Sequence, residues 1–116
     1  MTEAERHFHE EIRLGTERLK KEIGYNPTYF NRMVAEHGPV DASRRLLASD
    51  AVSEGFTKLW EHGRLGMSVE ALAVLPWYAS LFEPDLVAKA RRRLEEYRFD
   101  VDGYLASSRV PSWWQS

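Results

Sequence analysis

Apolar residues recur at three- and four-residue intervals along most of this chain, and nowhere alternate with polar ones over a strand-length run. Ala4, Phe8, Ile12, Gly15, Leu19 and Ile23 hold one face of a first helix, with Glu10, Glu17, Lys20 and Lys21 on its polar side. Thr2 followed by Glu5 has the spacing of a capping box, and Gly24 supplies the terminator. Asn26-Pro27 then opens a second helix whose face is Phe30, Met33, Val34 and His37, ended by Gly38.

Pro39 opens a third helix with Val40, Ser43, Leu46 and Leu47 inward. Ser49-Asp50 caps a fourth, whose face is Phe56, Leu59, Trp60 and Gly63, with Gly63 suited to a left-handed C-cap. Ser68 starts a fifth through Val69, Leu72, Ala73 and Leu75, stopped at Pro76. Residues 77 to 82 form an aromatic turn, and Glu83-Pro84-Asp85 begins a sixth helix along Leu86, Ala90, Leu94 and Tyr97. Phe56, Trp60, Phe82 and Tyr97 are assigned to the core. After Tyr97 come Gly103, Pro111, four Ser and the pair Trp113-Trp114. The pattern predicts an all-α bundle of about six helices with a long first helix, over residues 1–97, and an irregular tail over 98–116.

Residues 23 to 97 resemble a small all-helical module of uncharacterised bacterial proteins. The resemblance is carried by Gly24-Tyr25-Asn26-Pro27-Thr28-Tyr29-Phe30 with Met33-Val34, then Ala42 and Leu46-Leu47. It continues in Gly55-Phe56-Thr57-Lys58-Leu59-Trp60-Glu61 with Gly63-Arg64-Leu65, and in Val69-Glu70-Ala71-Leu72, Leu81-Phe82 and Arg93-Leu94. It implies an all-helical fold and an accessory or partner-binding role, and it lends no catalytic residues.

Composition narrows the chemistry. At 116 residues the chain suits one domain that needs no metal or disulfide staple. Zero Cys removes disulfides, thiolate zinc sites and thiol catalysis, and fits a reducing cytoplasm. The N-terminus lacks the apolar core of a signal peptide, and no apolar run approaches a membrane span. A cytoplasmic protein with no membrane partner is expected. His7 and His9 lie two residues apart, so on a helix they diverge and cannot share an ion. His37 and His62 fall in last turns, where a donor complements exposed carbonyls. No Walker loop, nucleophile elbow or His-Glu-x-x-His occurs, so neither metal, cofactor nor catalytic residue is assigned. Arg64 is read as structural, pairing with Glu61 or lying beneath Trp60.

Two surfaces remain as binding candidates. Leu14 lies off the main stripe of the first helix, and with Trp113 and Trp114 makes an apolar patch for another protein or a second copy of this chain. Arg44, Arg45, Lys89, Arg92 and Arg93 form a basic ridge that phosphates would meet, although the net charge of −2 gives no general basic footprint. The expected function is therefore a non-catalytic protein-interaction module in a bacterial cytoplasm. Nucleic-acid binding is the alternative, and an enzyme of unrecognised class the third reading.

Overall fold

α1 (Glu3–Ile23) starts where its capping residues require. The Thr2 hydroxyl accepts the Glu5 amide at 3.1 Å, and the Glu5 carboxylate accepts the Thr2 amide at 3.3 Å. It stops where Gly24 enters the left-handed region, φ 66°, and the Gly24 and Tyr25 amides close on the Lys20 and Leu19 carbonyls. The structure, a computed structural model, describes residues 1 to 114. The chain continues as α2 (Thr28–His37), α3 (Pro39–Ala48), α4 (Glu54–Glu61), α5 (Val69–Ala73), α6 (Pro84–Glu96) and α7 (Val101–Ser107). Short 3-10 turns occupy Leu65–Met67 and Ala79–Leu81, and no strand occurs among the described residues. The fold is all-α, as the periodicity predicts.

One core joins the elements. Phe8, wholly buried on α1, meets Tyr78 and Phe82 edge-on at ring separations of 5.3 and 5.6 Å. Leu47 of α3, Phe56 and Leu59 of α4, Leu94 of α6 and Val101 of α7 complete it. Gly63 takes φ 67°, and the Arg64 amide reaches back to the Leu59 carbonyl at 2.7 Å, closing α4 as its glycine predicts. Ser68 caps α5 by accepting the Ala71 amide at 3.1 Å.

Four expectations are corrected. Trp60 is 49 % exposed, because α4 turns it to the rim against the edge of Tyr97 while Phe56 and Leu59 fill the interior. The cap of α4 is Ser53, which accepts the Phe56 amide at 3.1 Å; Asp50 is drawn to Lys89 instead. At α5 the predicted face holds at Ala73 and, just beyond it, Leu75, both buried, but Glu70 and Ala71 turn inward with them while Val69 and Leu72 stay half-exposed. Finally, the segment after Tyr97 is not irregular throughout. Asp100 caps α7 by accepting the Gly103 amide at 3.0 Å, and Val101, Tyr104 and Leu105 at helical spacing pack on the core.

Candidate functional site

The N-terminal half of α1 and the chain beyond α7 build one concave surface. Its wall on α1 is His7, Glu11 and Leu14; Trp77 and Tyr78 come from the turn after α5, Tyr104 from α7, and Trp113 from the last described residues. They enclose a depression of about 540 Å³. Trp113 is half-buried, stacked on His7 and tilted against Tyr78 at 6.2 Å. Trp114 meets Trp77 edge-on at 6.0 Å. Leu14 keeps 44 % of its surface in solvent. The structure thus brings Leu14 and Trp113, far apart in sequence, to one hollow, with Trp114 beside it.

The floor of that hollow resists ionisation. Burial, then the nearby Glu11 carboxylate, pushes the Tyr104 phenol up to about 12, and the same two causes raise Tyr78 further. Both stay neutral hydroxyls at ordinary pH. His7 also faces Glu3, Nε2 to carboxylate 3.3 Å, and no group of three His, Asp or Glu converges among the described residues.

Most of the basic residues are engaged by partners of their own. Arg44 donates through Nε to the Leu81 carbonyl at 2.9 Å, and Arg45 pairs with Asp41 at 3.0 Å. Lys89 reaches the Ala48 carbonyl at 2.8 Å and Asp50 at 3.3 Å. Arg92 is exposed. Arg93 is buried, 5 % exposed, which corrects its placement on a phosphate-facing surface. Its Nη1 lies 3.4 Å from the Glu70 carboxylate and 3.5 Å from the Leu46 carbonyl, and its Nη2 donates to the Ser49 carbonyl. One guanidinium therefore closes the C-terminus of α3, balances Glu70 on α5 and anchors α6. Arg64 pairs with Glu22 of α1, not with Glu61.

Glu70 was legible only in part. Arg93 follows Ala90 by three residues on the apolar stripe of α6, a spacing that flags an inward cation. Such a cation needs a buried acid, and Glu70 lies three residues from Ala73 on the face that α5 buries.

Compared with protein-family models, with curated proteins and with solved structures, the chain matches none. The geometry of the site is the sole guide to its function.

Proposed function

We propose that this chain is a non-catalytic protein-interaction module of the bacterial cytoplasm, and that the hollow between α1 and the tryptophan-bearing segment receives its partner. The observation that carries this reading is the convergence of Leu14 and Trp113 on a depression floored by Trp77 and Tyr78. Large aromatic side chains around a partly open hollow, with His7, Glu11 and Arg18 also in its lining, are the composition of binding hot spots. A partner presenting one apolar anchor side chain would seat there. No helix of the described residues is long and apolar enough to cross a membrane.

The test is affinity capture from the native host with wild-type protein and with Leu14→Asp. Leu14 is exposed, so the substitution leaves the core alone. The expected result is a reproducible co-purifying protein that persists at high salt and is lost with Leu14→Asp, at unchanged thermal stability. Retention of the same protein by the variant overturns the reading. Recovery of DNA or RNA with steep salt dependence replaces it with the nucleic-acid alternative.

A further inference from the structure

A second hollow, about 580 Å³ and open to solvent, adjoins the first. Arg18, Gly66, Met67 and Tyr104 line both, so the concave surface that starts at Leu14 and Trp113 continues into it. Charge sets it apart. Arg18 comes from α1, Arg64 from the turn after α4 and Arg98 from the end of α6, with Asp100 also in the lining. Gly63 and Gly66 bring no side chains to crowd it.

Glu22 positions two of the three guanidiniums. Leu14, Arg18 and Glu22 follow one another at four-residue spacing along one face of α1. Arg18 donates through Nε to one Glu22 carboxylate oxygen at 3.0 Å, and Arg64 donates through Nη1 to the other. The hydrogen bonds from Arg64 and then Arg18 hold the Glu22 carboxyl below its ordinary range, so it stays ionised. One carboxylate is thus shared by two cations, each of which keeps its remaining N–H donors. Arg98 is exposed, and no acid pairs with it among the described residues. Asp100 accepts the Gly103 amide. Three guanidiniums against the carboxylates of Glu22 and Asp100 leave this hollow with an excess of positive charge.

Arg98 also sits where a side chain is costly. Its φ of 62° is positive, and the other positive-φ positions among the described residues, Gly24, Gly38 and Gly63, are all glycine. Strained residues of this kind concentrate at functional sites. A glycine would close α6 at less cost, and would remove the unpaired cation of the hollow.

We infer that the partner of the apolar hollow is a protein segment with acidic side chains beside its apolar anchor, the carboxylates seated on Arg18, Arg64 and Arg98. The inference rests on that hollow receiving a protein. A guanidinium meets a carboxylate through parallel N–H bonds, which arginines with spare donors can supply. A phosphate backbone fits less well. The apolar hollow carries Glu10 and Glu11 as well as Arg109, so a polyanion running through both hollows would meet carboxylates there. A short acidic stretch stays on the arginines.

The probes are two blocked peptides, N-acetyl-Trp-Glu-Glu-Glu-amide and its counterpart with Gln in place of Glu, titrated into the ¹⁵N-labelled full chain and followed by amide chemical shifts. Saturable shifts should appear around Leu14 and Arg18, at Gly63 to Gly66 and at Arg98. The acidic peptide should bind roughly fivefold tighter at ~0.05 M salt, and that preference should fade by ~0.5 M. Arg98→Gly should erase most of the preference at undiminished thermal stability, which separates lost binding from lost folding. Leu14→Ser, which adds no charge, should weaken both peptides alike. Equal affinity for the two peptides, or a preference that survives Arg98→Gly, overturns the acidic partner and leaves the apolar hollow standing. An acidic preference with binding unmoved by Leu14→Ser overturns the apolar anchor, and with it the joint surface. No saturable shift with either peptide overturns both. A single-stranded oligothymidylate that displaces the acidic peptide from the same residues at ~0.15 M salt gives the arginines to nucleic acid instead.

Discussion

The imidazole of His7 lies flat on the indole of Trp113, ring centroids 4.8 Å apart and planes 6° from parallel. From Arg109 to Trp114 no hydrogen bond among the described residues reaches the rest of the chain. Side-chain packing, chiefly of the two indoles, holds this segment down. A double-mutant cycle on His7→Ala and Trp113→Ala should therefore give a coupling of ~0.5–1.5 kcal/mol in urea unfolding, the range for aromatic pairs. Additive effects would show that the stack contributes nothing.

Phe56 and Trp60 share α4 and both touch the ring of Tyr97, yet they should behave differently. Phe56 is 2 % exposed, so Phe56→Ala should cost ~3–5 kcal/mol. Trp60 stands half in solvent, and Trp60→Ala should forfeit little beyond one edge-on ring pair, ~0.5–1.5 kcal/mol. Equal losses in chemical denaturation would return Trp60 to the core.

Arg93→Met should destabilise the fold by ~3–5 kcal/mol, because it strands Glu70 and bares the end of α3. Arg93→Met with Glu70→Leu should recover part of that loss, since the buried charge then goes with its partner. If the double variant is no better than the single, the cost lies in the α3 carbonyls and not in the acid.

Acidity offers a separate check on Glu70. Its folded carboxyl binds a proton more readily than the ordinary value of 4.5, through burial, so the folded state holds that proton where the unfolded chain has released it. The stability difference between wild type and Glu70→Gln should fall as pH rises from 4.5 through the raised value, and level off above it. Glu3, Glu10 and Asp41 have the opposite sign. Arginine hydrogen bonds lower their carboxyls, so their contribution weakens as pH falls; it is common to both proteins and cancels in the difference. A difference flat in pH would refute the raised value.

Arg98 occupies φ 62°, the one left-handed position among the described residues not filled by glycine. It closes α6, with its amide on the Glu95 carbonyl and the Phe99 amide on the Leu94 carbonyl. Arg98→Gly should raise stability by about 1 kcal/mol, relieving a conformation that side chains resist. A loss measured in thermal unfolding would mean that the Arg98 side chain makes a contact worth more than the strain.

Helix positions were readable wherever capping chemistry and periodicity agreed, as at Thr2–Glu5, Gly24, Gly63 and Ser68. Reading faltered where helical faces were too short to fix a rotation. α5 has five residues, too few for its stripe to show that Glu70 and not Val69 turns inward. α7 escaped because Gly103 and the serines resemble a loop, while the Asp100 cap and the buried Val101 argue for a helix. Leu14, Trp113 and Trp114 were visible as apolar residues without a place in the pattern. Their meeting on one hollow is a tertiary fact that no local spacing encodes.

The guanidinium of Arg93 bears on how the molecule comes apart. Lifting α6 away would at once unpair the Leu46 and Ser49 carbonyls and leave the Glu70 carboxyl alone in an apolar interior. No partial opening that removes α6 by itself escapes those losses together, so α3, α5 and α6 open as one cooperative unit. α2 lies outside this knot and fully buries no residue. The loss of this one side chain is thus felt at the same moment by three helices, whereas α2, which packs on the core through half-buried Phe30 and Val34, gives nothing to it.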